Sequence, residues 1–217
     1  MSDTELLKKD LFGEIRLAGS GAERHIVRDL ASARGWLRWL ARRLMRREAK
    51  ALAALGDIDG VPHVLSIERD TLVRSYIDGT PMYKAKPTDP AYFRAAFRLL
   101  RQLHTAGVVH NDLAKEPNLL VRNDGSPAFI DFQLAWYAPR RRRMFRVLAH
   151  EDVRHLLKHK RTDCPDRLTQ REKRILANPS LPSRLWMRTV KPVYLFVTRK
   201  LLGWADREGA ADRGDQR

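Results

Sequence analysis

Residues 104–121 read HTAGVVHNDLAKEPNLLV, and residues 129–135 read FIDFQLA. A charged and amidated loop, HNDLAKEPN, lies between two apolar runs. Asp112 and Asn118 share that loop, and Asp131 comes back on the next apolar stretch. Between them, NLLVRNDGSPAFIDF reads as a hairpin that turns at Asn123-Asp124-Gly125, where Asn, Asp and Gly accept the positive φ of a tight turn. Two carboxylates and one amide at the tips of one hairpin-bearing segment suit divalent-metal and phosphate chemistry. Mg2+ takes oxygen ligands and usually binds through one or two carboxylates together with substrate phosphates. An Asp held nearby can orient or deprotonate a hydroxyl nucleophile. Turn-capping aspartates are the plainer explanation of Asp112 and Asp131, but capping does not require this spacing.

Upstream, GEIRLAGSGAERHIVRDL predicts two short strands joined by a turn around Gly19–Gly21. ARGWLRWLARRLMRREAKALAALG follows, with Leu37, Leu40, Leu44, Leu52 and Leu55 at helical spacing and Gly56 closing the segment. Glu48 falls on the same stripe. A carboxylate on a buried helix face is costly unless it is paired, so Glu48 needs a basic partner or an edge position. HVLSIERDTLVRSYI predicts a hairpin turning at Arg69-Asp70, DGTPM breaks regular structure, and PAYFRAAFRLLRQLHTAG predicts a helix ending at Gly107. Downstream, HEDVRHLLKHKR, LTQREKRILAN and SRLWMRTVKPVYLFVTRKLLGW read as basic helices punctuated by Pro165, Pro179 and Pro182. The expected architecture is α+β and two-lobed. Residues 10–80 form a small sheet plus one helix, residues 81–204 a mainly helical, basic lobe, and residues 205–217 a polar tail.

The loop and the returning Asp resemble the protein-kinase-like superfamily, whose pattern is H-R-D-L-x-x-x-N followed by D-F-G. HNDLAKEPN and DFQ stand in those places. The wording is most similar to small bacterial kinase-like proteins related to RIO kinases and lipopolysaccharide core kinases. The resemblance covers residues 10–160 and is sharpest at 104–135. It implies a protein-kinase-like fold with a reduced N-lobe sheet and a short, basic, helical C-lobe. It implies ATP as phosphoryl donor, with Mg2+ or Mn2+. Asp112 would position the acceptor hydroxyl, Lys115 would neutralise the transferred phosphoryl group, and Asn118 and Asp131 would hold metal. His110 would brace the loop. Glu48 would pair with Arg28 on the preceding strand, where a kinase carries Lys, and Asp78–Met82 would form the hinge against which adenine lies. The chain departs from the pattern in further places. One extra residue separates Asp112 from Asn118, Gly19–Gly21 is not a full glycine-rich flap, Asn111 replaces the loop Arg, and Gln133 replaces the Gly after Asp-Phe.

Composition sets the outer limits. A hydrophobic share of 43% across 217 residues is enough for a sizeable core. The apolar run VYLFV is far too short to span a bilayer. The single Cys164 excludes an internal disulfide and fits a reducing compartment, with the cytoplasm as the expected location. Forty-two Lys and Arg oppose 26 Asp and Glu, a formal charge of +16. Such a field attracts nucleic acid, anionic lipid or a phosphorylated substrate. Trp186, Tyr194, Phe196 and Trp204 among Arg184, Arg188, Lys191, Arg199 and Lys200 suit the core of the second lobe or an anionic membrane interface. Three functions fit. The first is a phosphotransferase acting on a hydroxyl of a glycolipid sugar or a protein Ser/Thr. The second is a nucleotide-binding module without turnover. The third is a basic protein bound to RNA or the ribosome, and contact with nucleic acid ranks below the enzyme.

Overall fold

The computed structural model describes residues 4–178. The expected helix 183–204 with its aromatic residues, and the tail 205–217, lie outside them. In chain order the elements are β1 (Thr4–Asp10), β2 (Gly13–Ala18), β3 (His25–Asp29), α1 (Arg38–Leu55), β4 (Val64–Ile67), β5 (Thr71–Ser75), β6 (Thr80–Pro81) and α2 (Met82–Ala85). They continue with α3 (Pro90–Thr105), β7 (Val108–Val109), β8 (Leu119–Val121), β9 (Pro127–Phe129), β10 (Trp136–Tyr137), α4 (Arg143–Asp163) and α5 (Gln170–Ala177).

The first five strands form one antiparallel sheet in the order β1-β2-β3-β5-β4. This is fuller than the reduced sheet the sequence suggests. The additional strand is β1, an edge strand paired with β2 from Thr4↔Ala18 to Asp10↔Gly13. The flap therefore turns at Asp10–Gly13, and Gly19–Gly21 belongs to the β2–β3 connection. Gly13 has φ +123, and a Cβ there would lie 2.2 Å from the Asp29 carbonyl oxygen. The turn thus rests on the end of β3 and tolerates no side chain at that position.

One face of the sheet carries Ile26 and Arg28 on β3 and Leu72 and Arg74 on β5, in the register Arg28↔Leu72 and Ile26↔Arg74. Helix α1 covers that face. Its buried residues Ala41, Met45, Glu48, Ala49 and Leu52 recur at intervals of three and four, as one side of a helix must. Leu30, Met45 and Leu72 are fully buried together in this small core, each contributing about 1.5–3 kcal/mol from burial.

The second core is larger and joins the foot of α1 to α3, the β8–β9 hairpin and α4 through Leu52, Phe93, Leu100, Leu103, Leu113, Phe129, Phe132 and Leu156. Helix α3 starts on an Asp89 cap, whose carboxylate accepts from the Ala91 amide at 2.7 Å with Pro90 in the first turn. It ends before Gly107, at φ +79. The β8–β9 register, Leu119↔Phe129 to Val121↔Pro127, is set by the turn through Asp124 and Gly125. This hairpin brings residue 131 back beside residue 118.

Candidate active site

The catalytic-type loop is built around Ile130, His110 and Asp152. Ile130 donates its amide to the Asn118 carbonyl at 2.9 Å, and His110 Nε2 donates to the Ile130 carbonyl at 3.0 Å. His110 Nδ1 in turn accepts from the Asp112 amide at 3.3 Å, so the two bonds together require the Nε2–H tautomer. The ring packs against Phe132 at 4.5 Å between centroids and edge-on to Phe129. Residues on both sides of Asp131 are thereby tied to the loop that holds Asp112 and Asn118.

Asp152, almost wholly buried on α4, holds the loop from below. Its carboxylate accepts the amides of His110 at 2.8 Å and Asn111 at 2.9 Å, with His104 Nε2 3.3 Å away. Charge-assisted bonds to backbone amides are among the stronger ones a fold can make. They hold Asn111 at φ 64 and turn Asp112 inward. The sequence reading missed this residue, because an Asp in HEDVRHLL looks like part of a solvated helix. Only the topology shows that α4 passes under residue 110.

Asp112 and Asn118 are both buried. Asn118 Nδ2 donates to the Asp112 carbonyl and to its Oδ2, each at 3.0 Å. The extra loop residue is absorbed in a 3-10 turn over Glu116–Asn118, which returns the amide onto Asp112. Lys115 Nζ lies 3.0 Å from Asp112 Oδ2. Burial raises the Asp112 pKa, Lys115 works against that rise, and the charge of Asp131 adds to it.

Asp131 itself adopts φ 63, ψ 67, a left-handed conformation that a non-glycine residue holds only when its surroundings impose it. Its Oδ1 is buried without a hydrogen-bond partner. A buried carboxylate oxygen left bare is costly, and a hard cation is the partner its chemistry suits. The Asn118 amide nitrogen is committed to Asp112, leaving the amide oxygen for the same ion. These donors fit Mg2+, a metal that takes few protein oxygens and shares the rest with phosphate.

Between the sheet and α1, Arg28 Nη1 donates to Glu48 Oε2 at 3.0 Å, and both side chains are buried. Arg74 Nη1 lies 3.5 Å from Glu48 Oε1. The sequence reading gave Glu48 one cation, and the sheet gives it two. Arg47 donates to the Ala135 carbonyl at 2.6 Å and the Leu134 carbonyl at 3.0 Å, tying α1 to the segment after Asp131.

The expected hinge opens at Asp78. Asp78 pairs outward with Arg24 at 3.3 Å, and Arg24 also stacks on the Tyr76 ring at 4.5 Å. Met82 needs correcting as a nucleotide contact. It opens α2, is only 2% exposed and packs in the larger core. Its neighbours are the helices and the β8–β9 hairpin of that core. An open pocket of about 490 Å³ is lined by Asp59, His63, Tyr76, Asp78 and Arg122 among others. Asp112, Asn118 and Asp131 are not among its lining residues.

His155 and His159, one turn apart on α4, have separate surroundings. His159 Nε2 lies 2.8 Å from the Leu113 carbonyl. His155 is held neutral by burial, its pKa lowered to about 4.

Residues 20–172, more than half of the chain, match the family model described as RIO domain. No curated protein matches the sequence.

Proposed function

The chain belongs to the RIO-domain family of atypical protein-kinase-like proteins, and from that premise we propose that it moves the γ-phosphoryl group of ATP to an alcohol hydroxyl. One observation carries the reading. Asp131 keeps a bare, buried oxygen on a strained backbone beside Asn118 and Asp112, an arrangement costly to a fold that bound nothing there. Asp131 and Asn118 would hold Mg2+. When bound, the ion neutralises phosphate charge and orients the β- and γ-phosphates.

The chain's own side chains supply the rest. Asp112 orients the acceptor hydroxyl and takes its proton, and burial raises its pKa in the direction that makes it a better base. Lys115, beside Asp112, offsets charge on the group in transfer. Arg28, fixed by Glu48, faces the donor phosphates, and the backbone of residues 76–78 meets the adenine edge. The excess of basic residues after residue 140 supports a phosphorylated acceptor, such as a sugar hydroxyl of a glycolipid, over a protein Ser/Thr. A binding module without turnover is favoured by one feature, the single glycine of the Asp10–Gly13 turn.

The test is ATP turnover with Mg2+ or Mn2+ in the presence of glycolipid or protein acceptors. Asp131→Asn is expected to lose metal-dependent nucleotide binding, read by a fluorescent ATP analogue. Asp112→Asn is expected to keep binding and lose transfer by about a hundredfold or more. Tight nucleotide binding with no turnover in the wild type would establish the binding module instead. Turnover by both variants at the wild-type rate would refute the assigned roles.

A further inference from the structure

Helix α1 has a second face that the phosphotransfer site does not use. Trp36, just before the helix, and Trp39, in its first turn, are each 65% exposed. At 100° per residue, Trp36, Trp39, Arg43, Arg46 and Lys50 fall within roughly 100° of arc, and the buried residues Met45, Glu48 and Leu52 lie on the other side. Arg34, Arg43 and Arg46 are exposed, and Arg43 and Arg46 have no acidic partner among the described residues. Six of the 18 residues of α1 are Arg or Lys, and its one acid, Glu48, is spent inward on Arg28 and Arg74.

Exposed tryptophans are unusual on a surface that meets only water. An indole is an apolar plate with one N–H donor, which suits the headgroup depth of a bilayer. Arginine binds lipid phosphate with two donors at once and gains from a negative surface potential. Single-stranded nucleic acid is held differently, by aromatic platforms along a basic groove, whereas this stripe follows the outward curve of a helix.

We propose that the Trp36–Trp39–Arg43–Arg46 face docks the protein on an anionic phospholipid surface. The occupant is the bilayer itself, with the two indoles among the headgroups and the two guanidiniums on phosphates. Because this face points away from Glu48, docking leaves the Arg28–Glu48–Arg74 cluster undisturbed. The proposal does not depend on phosphoryl transfer and would hold for a binding module.

The experiment is co-sedimentation of the full chain with phosphatidylcholine vesicles, with and without 30 mol% phosphatidylglycerol, across a salt series. Nucleotide binding by each variant serves as the check on folding. The wild type is expected to partition onto the anionic vesicles at low salt and to leave as salt rises. Trp36→Ser/Trp39→Ser and Arg43→Glu/Arg46→Glu are each expected to lower the partition coefficient about tenfold or more with nucleotide binding unchanged. Absence of wild-type partition at low salt overturns the proposal. So does partition by both double variants at the wild-type level, which would move membrane contact to another segment. Retention on RNA that is lost in the arginine variant, with no vesicle binding, overturns it in favour of nucleic acid.

Discussion

At the scale of single residues, Asp112 is set by opposing influences. Burial disfavours its charged form, and the Lys115 ammonium at 3.0 Å favours it. Removing Lys115 leaves only the Asn118 hydrogen bond to oppose burial and the Asp131 charge, so the Asp112 pKa rises further. If Asp112 is the base, Lys115→Ala moves the acidic limb of kcat/KM to higher pH, and a profile superimposable on the wild type refutes the coupling. The raised pKa also bears on stability. A carboxyl that ionises less readily folded than unfolded favours folding in acid, and the fold loses that contribution as pH rises through the folded pKa. Asp112→Asn should therefore match or exceed the wild-type Tm at neutral pH while losing transfer, and a fall in Tm would contradict the burial cost. His155 works in the opposite sense. Its folded pKa of about 4 lies below its ordinary 6.5, chiefly through burial. Above pH 6.5 neither state is protonated. As pH falls from 6.5 toward 4 the unfolded chain takes the proton first and stability is lost, by roughly 1–3 kcal/mol. Urea titrations over that window should show a shallower loss in His155→Leu.

At the scale of elements, α1 connects the sheet to the site. Glu48 meets Arg28 from β3 and Arg74 from β5, while Arg47, one residue earlier, holds the carbonyls after Asp131. Glu48→Ala strands two guanidiniums in a buried setting and should cost about 3–5 kcal/mol. Arg74→Met leaves the shorter Arg28 pair intact and should cost about 1–2 kcal/mol. Chemical denaturation of the two variants checks the order, and equal losses would mean that Arg74 carries as much as Arg28. The helix was legible in the sequence because its leucine stripe has the period of one buried face. The need of Glu48 for a basic partner was legible for the same reason. Arg74 was not, since diagonal neighbours across β3 and β5 depend on a register that no local pattern announces. Strand β1 was missed because TELLKKD is an edge strand, exposed along Thr4–Lys9, with no alternation of buried and solvated positions to betray it.

At the scale of the whole molecule, the hairpin through residues 119–129 was readable from its turn chemistry, and with it the return of Asp131 to the loop. Asp152 was not readable, since a helix passing beneath the loop is a property of topology. The same topology bears on control. After Asp131 the chain makes one 3-10 turn over Phe132–Leu134, pairs Trp136 and Tyr137 with β7, and enters α4 at Arg143. No long segment separates the returning Asp from the next helix, and Asn111 is held by Asp152 and by the Leu134 carbonyl at 3.0 Å. The loop is thus fixed by a carboxylate of the fold where a switchable kinase would use an added phosphate. Tyr137 is the only hydroxyl-bearing residue between 132 and 150. It is half-buried, with Lys50 5.8 Å from its ring centroid. Phosphate there would break the β7–β10 pairing instead of ordering the loop. Any transfer activity should therefore survive phosphatase treatment, and Tyr137→Phe should keep kcat within about twofold, since the ring and its packing against the core are kept. Loss of turnover on dephosphorylation, regained by treatment with a tyrosine kinase, would show that control of this loop lies outside the Asp152 network.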